Sequence, residues 1–160
     1  MNVTFREVQK QDIAQICGLP QSGDELFFMF PRATFPLQAT ELESAISQRQ
    51  NSTVAVINNS VAGFANFYQW EKLGRCSIGN VIVAQDYRRK GVAARLIQHM
   101  VEIAFSEHQA KEVSVSCFCT YVAGLLLYPK LGFQPYAIEE RQSKSGMPLA
   151  LIHMHLLRTK

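Results

Sequence analysis

The order of strand and helix signals predicts an α+β protein built on a mixed sheet, and three observations carry that prediction. The signals run β, α, α, three strands, α, β, α, β, β. Helical patterns are few, and most neighbouring strands are separated by hairpin-length turns. A doubly wound parallel sheet would instead alternate strands and helices throughout.

Residues 3–8 read as a first strand, and a short helix follows from Gln9 carrying Ile13, Ile16 and Cys17. Residues 18–36 break the pattern, because three prolines and the phenylalanines Phe27, Phe28, Phe30 and Phe35 fall without a period. A solvated loop would not carry so many aromatics. This segment is expected as a loop packed on the core, as one wall of a substrate pocket, or as both. Thr40, with Glu43 three residues later, reads as a capping box opening a helix to about Gln50. Strands are expected over residues 53–57 and 61–70, joined through Asn58-Asn59-Ser60, a good hairpin turn. Residues 76–83 are mostly β-branched or small, with Ser77 and Asn80 interrupting, which suits a strand covered on both faces. From Val92, the residues Ala93, Leu96, Ile97, Met100, Val101 and Ala104 recur at helical spacing, opposite Arg95, Gln98, His99 and Glu102.

Residues 112–119 alternate cleanly, with Val113, Val115 and Cys117 on one face and Ser114, Ser116 and Phe118 on the other. Residues 123–131 form a short helix that Pro129 either breaks or occupies in its final turn, and Gly132 ends it. Residues 134–140 and 149–157 read as a closing strand pair around Lys144-Ser145-Gly146. No repeat or interdomain linker interrupts the chain, so residues 1–160 are expected to form a single domain.

Composition narrows the function classes. A chain of 160 residues, 48% hydrophobic and 18% charged, can bury a core of its own. No apolar run approaches the length of a membrane span, and the N-terminus lacks the apolar core of a signal peptide. A cytoplasmic protein that does not enter a membrane is therefore expected. The net charge of +3 fits an anionic ligand and is too diffuse to argue for nucleic acid. Cys17, Cys76, Cys117 and Cys119 include no CxxC pair and are expected as free thiols, mostly buried, rather than disulfides or a zinc site. His153 and His155 share one strand face without a visible third ligand, so no metal is expected there.

The chemistry concentrates between the central strand and the long helix. Arg88, Arg89, Lys90 and Gly91 lead directly into Val92 and Ala93. Three cations, a glycine and the free amides of a helix N-terminus make an anion site, and the glycine lets a phosphate approach the backbone. Each dipole interaction contributes only about 0.3–1 kcal/mol. Several amides acting on one diphosphate together suffice for a nucleotide-like ligand.

Arg88-x-x-Gly91-x-Ala93 in this context resembles the Q/R-x-x-G-x-G/A signature of the GNAT superfamily of N-acetyltransferases. Leu127-Tyr128-Pro129-Lys130-Leu131-Gly132-Phe133 is similar to the L-Y-x-x-x-G-F segment ending the family's next helix. The resemblance covers most of the chain, with residues 18–36 matching least. It implies the acyl-CoA N-acyltransferase fold, a three-layer arrangement whose mostly antiparallel central sheet is flanked by helices and splayed at the cofactor site. It also implies acetyl-CoA as cosubstrate, an amine as acceptor, and a homodimer as a common assembly. The amides of Arg89, Lys90, Gly91, Val92 and Ala93 would cradle the pyrophosphate of coenzyme A. Val81 and Val83 would pair with the pantetheine arm, one of their amides holding the thioester oxygen. Tyr128 matches the tyrosine that often protonates the departing thiolate, and Asn80 would lie beside the acetyl group, where it can orient a water.

The chain departs from the family at two places. Tyr121 stands where many members carry a pantetheine-binding asparagine, and Ser77 where many carry a glutamate base. A lysine-like amine of pKa about 10.4 is neutral near pH 7 only to the order of one part in a thousand, a penalty of about 4 kcal/mol. A base, a water relay or an apolar pocket must supply the neutral form. Asp24, Glu25, Glu71, Glu139 and Glu140 are candidates, and no spacing selects among them. The missing glutamate and asparagine also motivate a second reading, a non-catalytic acyl-CoA-binding or sensing module.

Overall fold

The computed structural model describes residues 1–159. The chain begins with β1 (Thr4–Glu7), a 3-10 turn at Lys10–Asp12, α1 (Ile13–Cys17), α2 (Gly23–Met29) and α3 (Ala39–Ser47). A meander of β2 (Gln50–Ile57), β3 (Ser60–Trp70) and β4 (Arg75–Val83) follows. The chain then runs through α4 (Val92–Ser106), β5 (Glu112–Phe118), α5 (Val122–Lys130), β6 (Gln134–Gln142) and β7 (Pro148–Leu157). The strands form one sheet in the order β1-β2-β3-β4-β5-β7-β6. Only β4 and β5 run parallel; the other neighbours are antiparallel.

Helices cover both faces. Leu96, Ile97 and Met100 of α4 pack with Phe67, Ile78, Val113 and Val115. Ile16, Leu26 and Leu42 from the first three helices pack with Val54, Phe64 and Ile82 on the other face. The β2–β3 hairpin turns on Asn58 and Asn59, both at positive φ (50° and 63°), the geometry whose twist matches paired strands. Pro129 sits in the last turn of α5, where it costs little. All four cysteines are free.

Two local expectations differ from the structure. Residues 18–36 contain α2, capped by Ser22 Oγ, which accepts from the Glu25 amide at 3.2 Å. The third helix starts at Ala39 after Gln38, so Thr40 lies inside it and is not its cap.

Two features of β4 shape the cleft. Its ladder with β3 steps from Ile82↔Phe64 to Gly79↔Asn66, which places an extra residue at Asn80 and Val81. Asn80 takes φ +52°, a left-handed conformation that asparagine tolerates better than branched residues. The extra residue reverses the pleat, so Ile78 faces the α4 side while Ile82 faces α2. The second feature is the splay. Strand β4 pairs with β5 only across Arg75, Cys76 and Ser77, and the two strands part beyond that point.

Candidate active site

The splay opens into a cavity of about 380 Å³. Gly79, Asn80 and Val81 of β4 form one side and Val115, Ser116 and Phe118 of β5 the other. The splay begins at Ser77, whose Oγ lies 2.6 Å from Ser114 Oγ and donates to Gln69 Oε1 at 2.9 Å. Ser77 is buried in that contact, so no base stands where the family's glutamate would.

The backbone beyond the bulge faces the opening. Ala84 donates to Ala62 O across the β3 ladder at 2.8 Å. Antiparallel alternation therefore aims the N–H and C=O of Val83 away from β3, toward the splay. Arg88 Nε donates to that carbonyl at 3.0 Å, while the Val83 amide stays on the open edge. A short 3-10 turn at Gln85–Tyr87 then carries the chain to α4.

The turn before α4 is built by two left-handed residues, Arg89 at φ +61° and Gly91 at φ +83°. The first amide drawn into the helix is that of Arg95, which donates to Gly91 O at 3.2 Å. Among the described residues, the amides of residues 89–94 have no hydrogen-bond acceptor. A Cβ added at Gly91 would meet nothing within 4 Å, so the turn presents open backbone. These properties fit a diphosphate: unpaired donors, the positive end of a four-turn helix, and no side chain in the way. Lys90 Nζ lies 5.9 Å from the Tyr87 ring centroid, and the Val92 side chain is buried in the core.

Arg88 is placed differently from its neighbours. Its Nη1 and Nη2 donate to Glu25 Oε2 and Oε1 at 2.9 and 2.8 Å. Its side chain therefore fastens α2 to the end of β4 and does not face the turn before α4. The same contact removes Glu25 from the candidate bases, because Arg88 holds its carboxyl below the usual range. Asn80 is likewise engaged on both polar atoms: it accepts from Asn66 Nδ2 at 3.0 Å and donates to Met29 O at 2.9 Å. It braces the bulge against α2, which displaces the expectation of a water-orienting amide.

The phenylalanine-rich segment forms a wall. Phe27 stacks on Phe118 at 4.6 Å, and Phe28 on Tyr121 at 4.9 Å. Tyr121 precedes α5 and lines the cavity, and burial pushes its hydroxyl pKa up. Tyr128 also reaches the cavity, edge-on to Phe133, and burial raises its pKa far above the ordinary tyrosine range.

Two groupings at the cavity escape a reading of the sequence alone, although Glu139 is among its candidate bases. Ser116 Oγ lies 2.7 Å from His153 Nδ1, and His153 Nε2 lies 2.7 Å from Glu139 Oε1. Arg141, then His153, hold the Glu139 carboxyl below its usual range. An ionised Glu139 accepts from Nε2–H, which leaves Nδ1 to accept from Ser116. The alternation of residues 112–119 and the shared face of His153 and His155 signal faces, but only the register pairs Ser116 with His153. The second group is Arg32, Arg49 and Arg141, which line the cavity from three different elements. Of the other carboxylate candidates, Glu71 accepts from Gln69 outside the cavity lining.

The acetyltransferase (GNAT) family model matches residues 21–133. An N-alpha-acetyltransferase of Saccharolobus solfataricus is 29% identical over 91 residues, 51% of this chain and 54% of the relative. The chain thus spans about half the length of that curated relative. Among solved structures, a putative phosphinothricin N-acetyltransferase superposes with a TM-score of 0.81 at 17% identity, covering 99% of this chain and 100% of that one. The ribosomal-protein-S18-alanine N-acetyltransferase of Escherichia coli gives 0.77 at 20% identity, covering 99% and 96%. A putative acetyltransferase from Salmonella typhimurium, solved with its cofactor acetyl-CoA, gives 0.76 at 20% identity, covering 100% and 96%. At such identities these likenesses speak to the fold alone.

Proposed function

The chain belongs to the acetyltransferase (GNAT) family, and on that premise we propose that it moves the acetyl group of acetyl-CoA onto a primary amine by direct attack within a ternary complex. The observation that carries this reading is the run of acceptor-free amides at residues 89–94 beside the unpaired edge of β4. The amides of Arg89, Lys90, Gly91, Val92 and Ala93 bind the diphosphate. The open edge at Val81 and Val83 receives the pantetheine arm and directs a backbone N–H at the thioester oxygen. A thioester is already activated, so alignment supplies much of the rate, roughly 7–11 kcal/mol for well-oriented reactants.

Proton movement falls to two groups. The Ser116–His153–Glu139 chain accepts the proton from the attacking amine: Glu139 orients the imidazole, and Ser116 takes the amine's proton as it passes its own to the Nδ1 lone pair. Tyr128 donates toward the departing sulfur. Burial makes its phenolate costly, but the same surroundings penalise a bare thiolate beside it, so the hydrogen bond keeps the sulfur from carrying a full charge. A non-catalytic acyl-CoA-binding module draws support from the buried Ser77, whereas the Ser116–His153–Glu139 chain favours catalysis.

The test combines calorimetry with coenzyme A and release of its free thiol across a panel of amines. Binding together with amine-dependent thiol release is the expected result. Absence of coenzyme A binding refutes the site, and binding without turnover on any amine leaves the non-catalytic module.

A further inference from the structure

Arg49 stands at the junction of α3 and β2, and its guanidinium reaches across to β4. A Cβ built on Gly79 would lie 2.6 Å from Arg49 Nη1, so the charge rests on the strand one residue before the bulge. The absence of a side chain at Gly79 makes that approach feasible. Arg49 Nη1 donates to Asn66 Oδ1 at 3.1 Å, and its Cζ lies 5.5 Å from the Tyr68 ring centroid. Both partners are neutral. Arg32 and Arg141 line the same cavity, and His153 adds a third basic group to Arg49's surroundings. Arg141 has a carboxylate partner in Glu139, at 3.1 Å, outside the lining. Among the described residues, neither Arg32 nor Arg49 forms an ion pair, and the cavity lining contains no aspartate or glutamate.

A partly buried guanidinium without a counter-charge is costly unless something supplies one. Burial lowers the pKa of Arg49, Tyr68 opposes the shift and Arg32 adds to it, the net direction expected for a cation without a carboxylate partner. A cavity lined by arginines and no carboxylate disfavours a simple ammonium and favours an oxyanion. The spacing is short as well. Only Asn80, in the bulge, separates Gly79 from Val81, two residue steps that span at most about 6–7 Å. A short acceptor therefore suffices to join an arginine–carboxylate contact at one end to an amine within about 3–3.5 Å of the thioester at the other.

We propose that the acceptor is a small amino acid whose carboxylate seats on Arg49, with Arg32 beside it, while its amine faces the thioester near Val81. This rests on the acetyl-transfer reading above and narrows its substrate class. The guanidinium fork receives the carboxylate in a bidentate contact, which fixes the distance from anion to amine. Phe28 and Tyr68 flank the remaining space and accept the side chain.

The experiment uses the full chain with glycine, alanine, methionine and phenylalanine, each as the free acid and as the carboxamide. Initial rates are measured at saturating acetyl-CoA, and binding to the coenzyme-A-loaded protein is measured by calorimetry. At least one free acid is expected to exceed its amide by about tenfold to a hundredfold in kcat/KM and in affinity. Arg49→Gln should lower that acid-to-amide ratio at least tenfold, and Arg49→Lys, which keeps the charge but not the fork, should retain part of it. Coenzyme A affinity reports that each variant keeps its fold. Amides handled as well as acids, or a ratio unchanged in Arg49→Gln, would overturn the carboxylate seat and leave acetyl transfer standing. Acid-selective binding lost in Arg49→Gln but without turnover on any amine would uphold the seat and sink acetyl transfer.

Discussion

Replacing Gly91 by alanine separates a structural cost from a binding cost. Gly91 has φ +83°, and a Cβ there meets nothing within 4 Å. The cost to the free protein is therefore backbone strain alone, about 1–2 kcal/mol for an L residue in the left-handed region. For a chain of 160 residues this lowers Tm by about 2–8 °C. Gly146, in the β6–β7 turn, offers a matched control: its φ is +86°, and a Cβ there also meets nothing within 4 Å. Both substitutions should cost similar thermal stability. Only Gly91→Ala places a methyl group on the turn that we propose receives the diphosphate. Losing one charge-assisted hydrogen bond costs about 1.5–3 kcal/mol, so the Kd for coenzyme A should rise about tenfold to a hundredfold. Calorimetric titration of the two variants reads this difference directly. If they lose the same stability and both bind coenzyme A as tightly as the unchanged protein, the turn is not the phosphate site.

Three further outcomes follow from the geometry. Tyr128→Phe should lower kcat by about a hundredfold or more while leaving coenzyme A affinity within a few-fold. Because burial raises the Tyr128 pKa, its proton is retained through the ordinary tyrosine range, so the unchanged enzyme should show no alkaline fall in rate from this group below about pH 10. An unaltered kcat in Tyr128→Phe would remove the donor role. His153→Gln should lower kcat/KM by about a hundredfold or more near pH 7 and recover as rising pH deprotonates the amine itself; a profile parallel to that of the unchanged enzyme would exclude the Ser116–His153–Glu139 route. Asp12 is buried, accepts from Arg6 at 2.7 and 2.9 Å and from the Gln9 amide at 2.7 Å, and its pKa is lowered chiefly by Arg6. Its contribution is present above about pH 3.9 and is lost as pH falls through the lower folded value. Asp12→Asn should cost about 1–2 kcal/mol, allowing for the exposed Arg6, and flatten the acid limb of Tm against pH; an unchanged limb would contradict the pairing.

What was legible in the sequence was what local pattern encodes. The strand, turn and helix from residue 75 to 106 announce themselves through β-branched composition, one glycine and a helical apolar stripe. The hairpin at Asn58 and Asn59 is equally local, since both residues must take positive φ. Helix α2 escaped because three prolines and aperiodic phenylalanines mask a short helix. A local signal was nevertheless present: Ser22, three residues before Glu25, is a capping pattern, and Ser22 does cap the helix. The same pattern at Thr40 and Glu43 misplaces the cap by two residues, since Gln38 holds that position, which shows how little four residues specify on their own. The cavity groups were illegible for another reason. Ser116 meets His153 only through the β5–β7 register, and Arg32, Arg49 and Arg141 meet only when a loop, a helix–strand junction and an edge strand converge.

Arg88 shows how one motif residue can serve a purpose its motif does not announce. Its guanidinium joins three parts of the molecule: the last carbonyl of β4, the carboxylate on α2, and through its own backbone the turn before α4. The ion pair is about a third exposed on both sides, so its contribution to stability is small, about 0.2–1 kcal/mol. Geometry is the larger effect. A bidentate contact fixes orientation as well as distance, and α2 carries the phenylalanines stacked on Phe118 and Tyr121. From the same helix, Met29 O accepts from Asn80 at the bulge. The wall of the cavity and the turn before α4 are thus held in register from both ends of α2, by Glu25 near its start and Met29 at its end. In the proposed reaction a shift of either would move the amine relative to the thioester, and alignment is the quantity on which transfer to a preactivated acyl group most depends.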